Sequence, residues 1–180
     1  MSGDVNPAEA DAVAASVVAL EALIAEVVGQ EDRLQFATFS HDDAWMLGSR
    51  LRDLGVRHGH AITIDIALGE QRLFHCALPG TSAHNDVWIE RKKRTVREFA
   101  ASSYLVGLRF PIRDAHALED APWMDPRQFA SHGGGFPLTI RGVGVVGTIA
   151  VSGLPHQIDH ALIVQALTEQ LAGPITTQSN

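Results

Sequence analysis

Several stretches carry residue types that do chemistry. His156 and His160 stand four residues apart with Asp159 between them, just after Ser152-Gly153-Leu154-Pro155, a sequence that launches a helix. The spacing puts both imidazoles on one helix face, a seat suited to zinc or iron. The pair lacks the H-E-x-x-H pattern and an identifiable third ligand, and the helix dipole already explains an aspartate at that position. Ser152-Gly153 lacks the G-x-S-x-G elbow of a serine hydrolase. Cys76, the single cysteine, shares a strand face with Phe74 and Leu78, which makes it a small core residue rather than a nucleophile.

Gly142-Val-Gly144-Val-Val-Gly147 satisfies G-x-G-x-x-G, the dinucleotide fingerprint. That fingerprint needs a preceding strand and a helix opening within the motif, so that helix N–H groups hold the pyrophosphate. Here β-branched residues run on through Thr148, Ile149 and Val151 before any helix can start. The glycines therefore mark a bulge or a close backbone approach inside a strand. The motif is a decoy.

The elements that must position these residues follow from periodicity. Asn6-Pro7-Ala8-Glu9 opens a first helix with the pattern of a capping box, and Val13, Val17, Leu20, Ile24 and Val27 form its stripe up to Gly29. Its apolar face is suited to the core or to another subunit. Leu34 to Phe39 is a short strand candidate. Ser40 with Asp43 starts a second helix with the stripe Ala44, Leu47, Leu51 and Leu54. From Ala61 the period becomes two, Ile62, Ile64, Ile66 and Leu68 facing one way. Gly69-Glu70-Gln71 turns the chain into a returning strand, Arg72 to Leu78, on which His75 points away from the core face.

The stretch from Asn85 to Phe99 is the most charged. Ile89, Val96 and Phe99, with Trp88 and Ala100 beside them, give it a helical stripe, and Arg91, Lys92, Lys93, Arg94 and Arg97 occupy the remaining surface. Such a helix can hold carboxylates or phosphates; more often it is a solvated face or pairs with acidic neighbours. It is drawn onward through Ser102-Ser103-Tyr104. Pro111 to Ala130 reads as an irregular loop over the site side of the sheet. Phe136 to Ile140, the turn Arg141-Gly142, and Val143 to Val151 make a second hairpin. A last helix from Pro155 directs Ala161, Leu162, Val164, Leu167 and Leu171 to the core, and Gly173-Pro174 ends it. Two hairpins with helices set apart from them predict an antiparallel α+β sandwich.

With 180 residues, 46% of them hydrophobic and 19% charged, the chain suits one domain over residues 1–180, with an N-terminal helix over 1–30 and a loose tail over 175–180. A net charge of -7 gives no whole-molecule attraction for nucleic acid. Val13 to Val28 is interrupted by Glu21 and Glu26, so no membrane span is expected. Asp4 and Glu9 lie where a signal peptide would be basic, and the expected location is the cytoplasm.

Taken in order, several segments resemble the haem-degrading-domain (GlcG-like) family, in its branch of small stand-alone proteins. They are Leu78-Pro-Gly-Thr81, Asn85-Asp-Val-Trp-Ile-Glu-Arg-Lys-Lys-Arg-Thr-Val96, Ser102-Ser103, His132-Gly-Gly-Gly-Phe-Pro137, Gly142 through Pro155, and Asp159-His160. The resemblance implies a profilin-like antiparallel sheet flanked by helices, assembly into dimers or larger rings, and a small ligand that in some relatives is haem. Haem asks for an apolar slot, cations for its propionates and an imidazole for iron. His132 is the candidate imidazole, Gly133, Gly134 and Gly135 let a flat ligand approach the backbone, and Arg91 and Arg94 are candidates for the propionates. The bland reading makes His132 a loop histidine and the glycines turn residues. A different class of function, an oligomeric interaction or scaffold module without chemistry, would bury the basic side chains against acids of another chain.

Overall fold

The protein is described here by a computed structural model covering residues 7–114, 117–122 and 124–173. Asn6 and the tail over 175–180 lie outside the described residues. A four-stranded antiparallel sheet, in the order β2-β1-β4-β3, is built from β1 (Thr63–Leu68), β2 (Gln71–Ala77), β3 (Gly135–Ile140) and β4 (Gly144–Ser152). Both expected hairpins are present, and they join through the β1–β4 pairing, Thr63 opposite Ser152 and Leu68 opposite Gly147. The fold is α+β, an antiparallel sheet flanked by helices.

One face of the sheet is apolar. Ile62, Ile64 and Ile66 from the β1 side, Phe136 and Leu138 from β3, and Ile149 and Val151 from β4 are all fully buried there. Helices α2 (His41–Arg57) and α5 (His156–Leu171) cover this face. Helix α2 starts as its sequence predicts. Ser40 Oγ accepts from Asp43 N at 3.2 Å, Asp43 Oδ2 accepts from Ser40 N at 2.7 Å, and Ala44, Leu47, Leu51 and Leu54 are completely buried. Helix α5 is rotated from expectation: Leu162, Ile163, Ala166 and Leu167 face inward, while Ala161 and Leu171 are exposed. Cys76 packs at the margin of this core, as its strand face implies.

The opposite face is more polar, bearing Thr63, Asp65, Thr148 and Ser152, and helix α3 (Ala83–Phe99) lies across it. Helix α3 does not run on through Ser102. Ala100 adopts a left-handed conformation (φ 49°, ψ 33°), and a new helix, α4 (Ser103–Asp114), starts where Ser102 Oγ accepts from Leu105 N at 3.1 Å. Helix α4 continues through Pro111, and a short 3-10 turn covers Leu118–Asp120, so the expected long loop is partly helical. Helix α1 (Pro7–Arg33) passes through Gly29 without ending. Only Phe36 of the expected strand over Leu34 to Phe39 pairs, in a parallel bridge to Ile140. Residues 34–40 instead form the link between α1 and α2, touching β3 through one residue: Phe36 N donates to Thr139 O at 2.9 Å and Phe36 O accepts from Arg141 N at 2.8 Å.

The glycines of the apparent dinucleotide motif lie in the second hairpin. Gly142 and Gly144 have positive φ (78° and 113°) at the turn, and a Cβ on Gly147 would stand 2.1 Å from the Ala67 carbonyl oxygen. Close backbone approach is therefore the role of Gly147. Gly147→Ala must push β1 and β4 apart, and a urea melt should show a loss of about 2 kcal/mol, the range for overpacking a well-filled interior.

Candidate functional site

The polar inner face of α3 is held by two buried ion pairs. Helix α3 has to bury Ile89 and Val96, and the intervening turn brings Lys92 and Lys93 inward with them, 3% and 4% exposed. The sequence reading had put both lysines on the surface. They are inside because Asp159 of α5 faces Lys92 and Asp65 of β1 faces Lys93. Lys93 Nζ meets Asp65 Oδ1 at 2.7 Å and Glu90 Oε1 at 3.0 Å, while Arg72 and His75 reach the same Asp65 carboxylate from β2. Lys92 Nζ donates to Asp159 Oδ2 at 2.8 Å and to Val151 O at 2.9 Å. The other oxygen of Asp159 accepts from Leu154 N at 3.1 Å, so this carboxylate also ties down the turn between β4 and α5. Burial pulls the Lys92 ammonium below its ordinary pKa and pushes the Asp159 carboxyl above its own, while their mutual attraction opposes both shifts.

Above this pair lies a cavity of about 290 Å³ whose walls include His84, Trp88, Lys92, His132, His156 and Asp159. Its rings touch in a chain. Trp88 Nε1 donates to His84 Nε2 at 3.0 Å, and His132 stands edge-on to Trp88 (centroids 5.3 Å) and to His156 (5.6 Å). Tyr104 of α4 continues the chain, 5.5 Å from His156 and 4.9 Å from His160. His156 Nδ1 accepts from Gly133 N at 3.4 Å, so the neutral ring carries its proton on Nε2. Burial, reinforced by His132 and Lys92, lowers the pKa of His156 and favours that neutral form.

The expected site residues separate into groups. His132 is exposed on the cavity wall. Gly133, Gly134 and Gly135 run inward from it, and the space a side chain would need is filled by the protein itself. A Cβ would lie 2.2 Å from His156 O at Gly133, 2.4 Å from Val151 O at Gly134, and 3.0 Å from Ser103 Oγ at Gly135. Ser103 Oγ also bonds the His132 carbonyl and accepts from Gly135 N at 2.9 Å, fixing the loop. Arg91 stacks over Trp88 (5.1 Å) and donates from Nε to Arg127 O at 3.0 Å. Arg94 does not line the cavity; it donates to Gln128 O at 2.8 Å and lies over Phe129. Thr95 adds bonds to Ala130, so α3 carries the 127–130 segment on its outer side.

His156 and His160 share a helix face, as their spacing predicts, with Tyr104 against both. Their surroundings differ. His160 is buried, its Nε2 facing Gln30 Oε1 of α1 at 2.8 Å. Among the described residues no group of three or more His, Cys, Asp or Glu is placed to hold a metal ion. Sequence reasoning missed the wall formed by His84 and Trp88, and Tyr104 packed behind His156; the four-residue spacing of His84 and Trp88 on an opening helix was the available signal.

A four-stranded antiparallel sheet backed by two helices, with a histidine-lined cavity over the third, defines the class of molecule. The chain belongs to the HbpS-like haem degrading protein family, whose model matches residues 39–168. It is 47% identical to a UPF0303 protein of Streptomyces avermitilis, over 84% of this chain and 92% of the relative. It is 44% identical to another from Edwardsiella ictaluri, over 84% and 96%. Among solved structures it resembles the Ybr137w protein (TM-score 0.74, 29% identity, 82% of this chain and 89% of that one). The fold is shared with HbpS (TM-score 0.58, 19% identity, 76% and 92%) and with a protein solved as the PduOC:heme complex (0.62, 15%, 73% and 94%).

Desolvation holds the pKa of His160 down to about 4 against an ordinary 6.5. The folded state thus binds fewer protons than the unfolded state between these values, so this contribution is complete above pH 6.5 and lost as pH falls towards 4. The full loss amounts to roughly 3 kcal/mol. Asp159 and Glu31, both raised by burial, act in the opposite direction, so the comparison is with His160→Gln. Urea midpoints across this range should fall less steeply in the variant than in the native chain.

Proposed function

We propose that this protein is an oligomeric, cytoplasmic binder of haem or a related tetrapyrrole, with the ligand at the cavity mouth around His132. The observation that carries the reading is an exposed imidazole, His132, set against the Trp88 indole beside the Arg91 guanidinium. Family membership and the heme complex of a neighbour sharing the fold support it. The donor set fits the group. His156 commits Nδ1 to Gly133 and keeps its proton on Nε2, which makes it a hydrogen-bond donor; His132, exposed on the cavity wall, is the candidate for iron. Arg91 lies over the Trp88 ring at 5.1 Å and is proposed for a propionate; Arg94, turned to Gln128, is a second candidate outside the cavity. Gly133, Gly134 and Gly135 contribute by letting the His132 loop pack tightly on α3 and α5.

A cavity of about 290 Å³ lies at the low end for a small-molecule site, so one chain encloses only part of a macrocycle. The remainder would lie along the exposed rim or against a second copy. Oligomerisation draws support from α1, whose later turns pack on Tyr104 and Leu105 while Val17 and Val18 stay 47% and 64% exposed. The cytoplasmic placement rests on the lone Cys76, and among the described residues no helix is long and apolar enough to cross a membrane. Bound haem would supply redox-active iron; binding is the proposed function, and degradation would be a property of that iron in this setting. The interaction-module alternative is less supported, because Lys92, Lys93, Arg91 and Arg94 are engaged within their own chain.

Titration with hemin, followed in the Soret band, should saturate at one per subunit. His132→Ala should shift the band and weaken binding by about tenfold or more, and Arg91→Ala should weaken it less. Unsaturable binding indifferent to both substitutions would reject the proposal.

A further inference from the structure

The chain contains two lysines, Lys92 and Lys93, against twelve arginines. Both lysines are buried, and every other basic side chain of the lysine–arginine class is an arginine. A guanidinium serves an ion pair better than an ammonium and stays charged in any setting, whereas a lysine amine can lose its proton and act as a nucleophile. Lysine thus stands only where the cation is buried. The two differ in surroundings. Lys93 is enclosed by Asp65 and Glu90 and does not line the cavity, while Lys92 and its partner Asp159 both belong to the cavity wall. Lys92 has three donor positions and two protein acceptors, Asp159 Oδ2 and Val151 O.

We propose that Lys92 is a carbonyl-capturing amine and that the cavity takes a small aldehyde or 2-oxo acid, joined to Lys92 as a Schiff base. The inference does not rest on tetrapyrrole binding, since it needs only the cavity, the amine and its acidic partner. Asp159, 2.8 Å from Nζ, accepts a proton from the ammonium and leaves a free amine. The Nζ lone pair attacks the carbonyl carbon, a C–N bond forms, and the C=O π electrons pass to oxygen, which takes up the proton to give a carbinolamine. The nitrogen, still carrying two hydrogens, returns one to Asp159, which passes it to the hydroxyl; the nitrogen lone pair then expels that hydroxyl as water, and a protonated imine remains. No electrons are gained or lost, and no co-reactant is required. A buried pair in which both members are displaced towards their neutral forms suits this exchange. The space of about 290 Å³ limits the carbonyl compound to a small one.

Reductive trapping tests this directly. The full chain is incubated with acetaldehyde or with pyruvate in the presence of cyanoborohydride, and the modified residues are mapped by peptide mass spectrometry. Besides the N-terminus, only Lys92 and Lys93 can be labelled. The expected result is a saturable adduct at Lys92, absent at Lys93, retained in Lys93→Arg and lost in Lys92→Arg, which keeps a cation for Asp159 but cannot condense. Labelling by acetaldehyde alone assigns a neutral carbonyl ligand, and labelling by pyruvate assigns an oxo acid. No adduct at Lys92 with either probe, or equal and unsaturable labelling of both lysines, overturns the proposal. The Lys92 to Lys93 ratio in the native chain decides the matter even where a variant fails to fold. Hemin titration is read separately, so neither result stands in for the other.

Discussion

The Lys92–Asp159 ion pair is the contact on which the arrangement of the cavity depends. It links α3 to the first turn of α5, and through Val151 O and Leu154 N it also fixes the end of β4 and the turn that follows. The glycines over 133–135 pass between these two helices, and their missing side chains are the space that Lys92, Asp159 and the His156 carbonyl occupy. A buried ion pair gains little net stability over an apolar replacement, because desolvation cancels much of the attraction, but losing one partner strands a charge. What such a pair supplies here is geometry. It holds the helix bearing His84 and Trp88 at a set distance from the helix bearing His156.

The second pair, Lys93–Asp65, does comparable work at the other side of α3. Asp65 collects Lys93, Arg72 and His75, and His75 reaches on to Asp86 at the start of the helix. Helix α3 is thereby pinned at both flanks to a polar sheet face, while the opposite face is packed with isoleucine, leucine and phenylalanine. The two faces are stabilised by different physics. Apolar packing under α2 and α5 gives cohesion without direction, and directional charge contacts under α3 fix a register that apolar contacts alone would leave looser.

Much of the scaffold was legible in the sequence where periodicity is local. The α2 stripe and its capping box, the alternation of Ile62, Ile64 and Ile66, and both hairpins are set by residues within a few positions of one another. The errors arose where distant residues decide. Lys92 and Lys93 look solvent-exposed until Asp159 and Asp65, far away in the chain, are placed beside them. Leu34 to Phe39 has strand character, but it serves as the link between α1 and α2 and meets β3 only at Phe36. The arrest of α3 at Ala100 depends on a left-handed residue that carries no glycine to announce it. Within the site, His132 and His156 were visible as residues, whereas their contact through Gly133, the Trp88 wall and the Tyr104 ring packed on His156 depended on the packing of α3, α4 and α5.

The open edges of the sheet have a separate consequence. On β3 the outer edge carries Pro137, which has no N–H to offer, and Phe36 already occupies the backbone at Thr139 and Arg141. On β2 the outer edge exposes Gln71, Arg72 and His75, with Arg72 tied to Asp65 and Glu90. The β3 border is thus covered in part, and the β2 border carries charged side chains that disfavour a foreign strand. Growth of this molecule by sheet extension is obstructed on the β3 side by Phe36 and Pro137 and opposed on the β2 side by charged side chains, the means by which sheet proteins limit edge-to-edge aggregation.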